Sequence, residues 1–203
     1  MLEKYPHDRI INLDKLTYAG NPANLKDIEN NPNYSFVKGD ICDPAVVNEV
    51  MKNVDQVVHF AAESHVDRSI EDGSVFVRTN VLGTNTLLQS ALANDIMKFI
   101  HVSTDEVYGS IKEGSFIEKD NLNPSSPYSS SKAGSDLLAM SYYTTYELPV
   151  CITRCTNNFG PYQYPEKLIP FFISRLMEGK KFQCTVQARI SGTGSMLKIT
   201  ALQ

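Results

Sequence analysis

Two short stretches carry side chains that could do chemistry together. One is Ser103-Thr104-Asp105-Glu106-Val107-Tyr108-Gly109; the other, about twenty residues further on, is Tyr128-Ser129-Ser130-Ser131-Lys132. Tyr128 and Lys132 are four positions apart, so on a helix they share a face and an ammonium can lie near a phenol. A positive charge there stabilises phenolate and lowers the tyrosine pKa from about 10 toward working pH, which turns a poor base into a usable one. Taken alone, the spacing fits an amphipathic helix that happens to begin Tyr-x-x-x-Lys equally well. Thr104 adds a hydroxyl able to hold a substrate oxygen while the phenolate takes its proton, an arrangement for hydride transfer if a nicotinamide lies alongside. Asp105 and Glu106 exceed what a simple oxidoreductase requires. Adjacent carboxyl groups can divide proton removal from proton donation when their surroundings push their pKa values apart. Solvated turn residues are the plainer explanation, and the position beside Thr104 favours chemistry.

Such groups need elements to aim them. Apolar, β-branched runs occur at Arg9 to Leu13, Tyr34 to Val37, Gln56 to Ala61, Lys98 to Val102 and Val150 to Thr153, with helical patterns near Ala45 to Lys52, Ser74 to Asn94, Ser129 to Glu147 and Leu168 to Glu178. Strand and helix in alternation predict an α/β fold with a parallel sheet covered on both faces. Val77, Val81, Thr84, Leu88 and Ala91 recur at helical spacing and are expected to form a stripe packed on the sheet. Ligands of such sheets sit beyond the carboxyl ends of the strands, where Asp14, Asp40, Ala61 to Ser64 and Ser103 to Glu106 all fall. Asp14 ends a strand where a dinucleotide-binding unit places its ribose-binding acid, although a turn or N-cap aspartate has the same spacing. His59, His65 and His101 lack triad or metal spacing and are expected to be structural. Arg154 and Lys167 could neutralise a diphosphate or form ion pairs.

The bulk properties narrow the choice. The 203 residues, 42% hydrophobic and 21% charged, suit one soluble globular domain, and the formal charge of -4 disfavours a nucleic-acid partner. No apolar run approaches the roughly 20 residues of a membrane span, and the first residues do not resemble a secretory signal, so no membrane partner and a cytoplasmic location are expected. Cys42, Cys151, Cys155 and Cys184 lack paired metal spacing and are read as reduced structural thiols, with no metal site expected.

Longer strings add a resemblance. NLDKLTYAGN at Asn12 to Asn21, HFAAESHVDRSI at His59 to Ile70, HVSTDEVYGSI at His101 to Ile111, PSSPYSSSKAGSDLL at Pro124 to Leu138 and ITRCTNNFGPYQYPEKLIP at Ile152 to Pro170 are similar to the dTDP-glucose 4,6-dehydratases of the extended short-chain dehydrogenase/reductase superfamily. The Thr-Asp-Glu triplet separates these from related epimerases, which lack the acidic pair. Phe159 is a mild departure, since tyrosine is commoner there. The resemblance implies a lyase reaction with NAD as cofactor and dTDP-glucose as substrate, forming dTDP-4-keto-6-deoxyglucose. Tyr128, with Thr104 and Lys132, would serve oxidation at C4; Glu106 would take the C5 proton and Asp105 protonate the departing C6 hydroxyl. It implies that Asp14, Lys15, Leu16, Thr17, Asp40, Ile41, Phe60, Ala61, Ala62, Glu63, Ser64, Thr79, Tyr128, Lys132 and Asn158 line the cofactor. Ser64, Thr104, Asn157, Lys167 and Leu168 would touch the sugar nucleotide. A homodimer through the helices at Ser74 to Asn94 and Ser129 to Glu147 is implied as well. A nucleotide-sugar epimerase or decarboxylase, or a non-catalytic dimerising fragment, are the alternatives.

The ends depart from that pattern. The family opens with a strand and a glycine-rich loop that holds the NAD pyrophosphate, and neither is found here. The expectation is a partial Rossmann-like, doubly wound parallel sheet lacking its first strand and most of the C-terminal substrate domain, with exposed apolar surface, weak NAD binding and no activity alone. Residues 1–181 are read as the partial NAD-binding domain. Residues 182–203 are read as an out-of-frame tail, because suitable codons for them, shifted by one nucleotide, encode a family-like segment; a natural divergent tail is the alternative.

Overall fold

The computed structural model describes residues 1–180 and the backbone of Ser195–Met196. β1 (Ile10–Asp14) pairs in parallel with β2 (Tyr34–Lys38), Ile10 opposite Tyr34 and Asp14 opposite Lys38. β3 (Gln56–His59), β4 (Lys98–Thr104) and β5 (Val150–Cys155) form a second parallel sheet with β4 in the centre. Parallel neighbours cannot be joined by a tight hairpin, so helices make the crossovers. In the second sheet these are a long composite helix between β3 and β4 and α5 (Pro127–Tyr146) between β4 and β5, while α1 (Pro44–Met51) leads from β2 of the first sheet to β3 of the second. β6 (Asn158–Phe159) pairs with β7 (Ser195–Met196), and α6 (Leu168–Met177) lies between them in sequence. The α/β alternation and the parallel sense are those the sequence predicts. The proposed tail at 182–203 lies outside the described residues, apart from β7.

The sheet is in two pieces. Among the described residues β1 bonds only to β2 and β3 only to β4, so each keeps one open edge. Leu13 of β1 and Val57 of β3 nonetheless pack on one core with Val47, Met51, Leu88 and Phe99. Val58 and Phe60, by contrast, are exposed, as expected of a strand with an uncovered side.

Local signals set the helix starts. Asp43 caps α1, its carboxylate accepting from the Ala45 amide at 2.9 Å, with Pro44 opening the first turn. α5 starts two residues before the expected point because Ser126 and Ser129 form a reciprocal capping box around Pro127. A short helix, α2 (Val66–Glu71), has no counterpart in the sequence pattern.

The composite helix corrects one expectation. It runs as α3 (Ser74–Phe76), a π-helical segment (Val77–Gly83) and α4 (Thr84–Ala93). A π turn inserts a residue and rotates the helix face before it relative to the face after it. Thr84, Leu88 and Ala91 are buried as their spacing predicts, but Val77 is 57% exposed, and Phe76 and Asn80 turn inward instead. Gly83 closes the segment against Ile41: a Cβ there would come within 2.5 Å of Ile41 Cδ1 and 2.7 Å of Cγ1. Gly83→Ala is expected to lower stability by about 1–3 kcal/mol through overpacking. Urea unfolding followed by circular dichroism measures this; an unchanged midpoint would mean Ile41 swings aside freely.

Candidate active site

The acid-bearing turn grows directly from β4. Thr104 ends the strand in extended conformation, and a single 3-10 turn, Asp105–Tyr108, follows. The Thr104 hydroxyl caps that turn, accepting from the Glu106 amide at 3.2 Å and donating to Asp105 Oδ1 at 3.3 Å. Val107 and Tyr108 are buried against Ala133 of α5, which fixes the turn to the helix carrying Tyr128 and Lys132. The Tyr128 amide is held by Ser69 Oγ of α2 at 3.1 Å, and its ring meets Phe76 edge-on.

A cavity of about 430 Å³ opens at these carboxyl ends. Of the residues singled out from sequence, Ser64, Thr104, Glu106, Tyr128, Asn157, Asn158, Lys167 and Leu168 line it. Lys167 reaches across to donate to the Ser64 carbonyl at 2.8 Å. Asp105 is half-buried beside Thr104 but does not form the cavity wall. Lys132 lies beneath, donating from Nζ to the Val102 carbonyl at 2.8 Å.

The remaining cofactor candidates lie outside this cavity, along the ends of β1, β2 and β3. Asp14 accepts from the Leu16 amide at 2.6 Å, turning the chain so that Leu16 takes φ 54°. Lys15 pairs with Asp40 at 2.7 Å, which ties the loop after β1 to the loop carrying Asp40 and Ile41. Thr17 is exposed nearby, Phe60 to Glu63 continue from β3, and Thr79 sits on the π-helical segment. No cluster of three or more metal-ligating side chains occurs among the described residues.

Residues 1–189 match the family model described as GDP-mannose 4,6 dehydratase. The chain belongs to that family. Within the GDP-mannose 4,6 dehydratase family it is similar to a dTDP-glucose 4,6-dehydratase of Streptomyces griseus, 56% identical over 177 residues, which are 87% of this chain and 54% of the relative. Among solved structures it is similar to DesIV, a dTDP-glucose 4,6-dehydratase from Streptomyces venezuelae with NAD bound. That match has TM-score 0.85 and 56% identity, and covers 87% of this chain and 56% of the other. A UDP-glucuronic acid 4-epimerase from Bacillus cereus, in complex with UDP-glucuronic acid and NAD, matches with TM-score 0.82 and 28% identity over 88% of this chain and 58% of its own. The chain spans about half the length of the curated relatives it matches.

Electrostatics at this dehydratase-family site overturn one expectation. Burial first, and the Glu106 carboxylate second, push the Tyr128 phenol up to about 12, against a smaller downward pull from the Thr104 hydroxyl. The lowered phenol pKa that the Tyr-x-x-x-Lys spacing predicts is not what the fold produces, because burial and the Glu106 charge act against it; the Lys132 ammonium donates to the Val102 carbonyl, and burial takes Lys132 itself down to about 8. Burial and then the neighbouring Asp105 charge raise the Glu106 carboxyl, partly offset by Lys167.

Other residues resolve as well. Arg154 neither faces the cavity nor forms a surface pair; Nε donates to the buried Asp136 at 2.8 Å and Nη1 to Tyr108 Oη at 2.6 Å. His59 and His101 are structural as expected, bonded to Thr84 and Ser135, and burial lowers both pKa values. His65 does more than expected, capping α2 and lining the cavity with Cys155 and Glu166. Asn80 has no place in the sequence reading: it exchanges two 2.9 Å bonds with the Glu63 backbone and donates to Ser131 Oγ at 2.8 Å. An asparagine within an apolar stripe gives no signal of this, and only the π turn aims it inward.

The Lys132 shift has a stability consequence. With a folded pKa of about 8 against 10.5, the unfolded chain holds between those values a proton that the folded chain has released. Stability should therefore rise with pH across that window, on the order of 1 kcal/mol per unit, and be flat below it. Above pH ~10 the raised Tyr128 opposes the trend, since its unfolded form ionises first. Across pH ~7.5 to ~9.5 the urea midpoint of the parent is expected to rise steadily relative to that of Lys132→Met, which lacks this titration; a constant difference between the two would contradict the buried ammonium.

Proposed function

We propose that the chain carries the chemistry of a dTDP-glucose 4,6-dehydratase. The observation that supports this most is the convergence of Thr104, Glu106 and Tyr128 on one cavity, with Asp105 at the Thr104 hydroxyl. In this reading Tyr128 removes the proton of the sugar C4 hydroxyl while Thr104 Oγ1 holds that oxygen. NAD⁺, when bound, would supply a hydride acceptor for the oxidation at C4 and a hydride donor for the reduction at C6. The donor set fits such a group: Asp14 ends β1 and Asp40 lies just past the end of its parallel neighbour β2, where ribose hydroxyls are recognised, and Lys132 is one helical turn from Tyr128 on α5. Lys15, Leu16, Thr17, Ile41, Phe60 to Ser64, Thr79 and Asn158 would complete its walls.

The C4 ketone acidifies the C5 proton, since the resulting carbanion delocalises as an enolate. Glu106 takes that proton; its raised pKa makes it a stronger base than an ordinary carboxylate. Asp105 turns from Thr104 to protonate the C6 hydroxyl, which leaves as water, and Glu106 gives its proton back to C5 when hydride has reached C6. Ser64, Asn157, Lys167 and Leu168 hold the sugar nucleotide. Three free thiols among the described residues, Cys42, Cys151 and Cys155, fit a reducing, cytoplasmic setting, and no helix among the described residues is long and apolar enough to cross a membrane.

The same reading includes a homodimer. α5 leaves Leu137, Met140 and Tyr143 exposed, and the adjoining composite helix leaves Val77 and Leu82 exposed, forming an apolar face of the kind that marks an interface.

The decisive assay incubates the chain, and separately a version extended to the length of its relatives, with dTDP-glucose and NAD⁺, and reads the alkali-induced absorbance of a 4-keto-6-deoxy sugar. Product from the extended form is expected, with Glu106→Gln lowering kcat by about 100-fold or more; product from neither form removes the assignment. For the dimer, sedimentation of the parent as a two-chain species and of Leu137→Glu as a single chain is expected, and identical sedimentation would reject this face.

A further inference from the structure

The turn Asp105–Tyr108 and helix α5 are separate elements, yet the proposed reaction needs Glu106 and Tyr128 to act in succession on one ring. Beyond the packing of Val107 and Tyr108 on Ala133, one side chain hydrogen-bonds to both. Arg154, on β5, uses Nε on Asp136 Oδ2 at 2.8 Å and Nη1 on Tyr108 Oη at 2.6 Å, with Glu118 O a further 3.4 Å acceptor for Nη1. Its guanidinium carbon lies 5.0 Å from the Tyr108 ring centroid. Asp136 is fully buried, one helical turn beyond Lys132 and two beyond Tyr128 on the inward face of α5. Tyr108 is the last residue of the turn that Asp105 and Glu106 begin. A guanidinium is a planar, rigid fork, so bonding both partners fixes their separation in a way a flexible ammonium cannot. With the side chain of Arg154 only 13% exposed and that of Asp136 at 0%, solvent screens this linkage little.

We infer that Arg154 is a positioning residue that clamps the acid-bearing turn to the base-bearing helix, coupling oxidation at C4 to elimination across C5 and C6. The coupling rests on the dehydratase reading; the clamp rests on the hydrogen bonds alone. Tyr108→Phe isolates it, because the ring keeps its stacking on Phe116, at 5.1 Å between centroids, and loses only Oη. Arg154→Lys keeps the charge beside Asp136 and loses the fork.

Two measurements test the proposal. Amide hydrogen exchange on the chain as it stands reads the clamp: exchange at Gly109, whose amide bonds the Glu106 carbonyl at 3.2 Å, is expected to be at least about fivefold faster in both variants, with α4 unchanged. Unaltered exchange at the turn overturns the clamp whatever the enzyme does. Single-turnover mixing of the extended form with dTDP-glucose, following the absorbance of reduced cofactor, reads the coupling. In Tyr108→Phe the reduced cofactor should appear at a rate within about twofold of the parent and decay at least about tenfold more slowly. Equal slowing of both phases is what general loosening produces and overturns the coupling. A parent that never reduces the cofactor sinks the dehydratase reading, while the exchange result still decides the clamp.

Discussion

Helix α5 is buried on its polar side. Tyr128, Ser129, Ser131, Lys132, Ser135 and Asp136 face inward, while Leu137, Met140 and Tyr143 face out. A buried polar group must find a partner or forfeit its hydration, and most of these do so locally. Ser131 and Ser135 bond to carbonyls one turn back, Lys132 bonds to the Val102 carbonyl, and Asp136 meets Arg154 and His101. The helix can sit in one rotation only, since turning it would strand an ammonium and a carboxylate in the core. That constraint places Tyr128 beside Thr104 and sets the roof of the cavity.

The second sheet answers to the same demand. β4, the central strand, supplies the Val102 carbonyl to Lys132, the His101 ring to Ser135 and the Thr104 hydroxyl to the Glu106 amide. Burial opposes the charge on Asp136, and His101, Ser103 and Arg154 outweigh it, holding the carboxyl below the usual carboxylate range. The ion pair with Arg154 thus contributes orientation as well as charge balance, in keeping with buried pairs that specify geometry more than they add stability.

Much of this is legible in the sequence. The five main strands, the parallel sense and the convergence of Thr104, Glu106 and Tyr128 follow from alternation, strand ends and motif spacing. Three things do not. The π-helical segment cannot be read from a 3.6-residue period, which turns Val77 inward and passes over Asn80. The burial of Tyr128 and its nearness to Glu106 come from tertiary packing, which is why the four-residue spacing to Lys132 alone gives the wrong sign for the phenol pKa. Arg154 has two equally plausible local readings, and its partners on α5 and in the acid turn are brought to it only by the register of β5 against β4.

The split sheet has an outcome of its own. β1 and β3 each present a row of backbone donors and acceptors unmatched by a neighbouring strand among the described residues. Such rows template extended segments of other chains with little regard for side-chain identity. The proposed pairing through the outward face of α5 would close after two copies, whereas strand addition along an open edge has no symmetry that terminates it. Whatever occupies those edges would therefore decide whether any association of this molecule stays finite or grows with concentration.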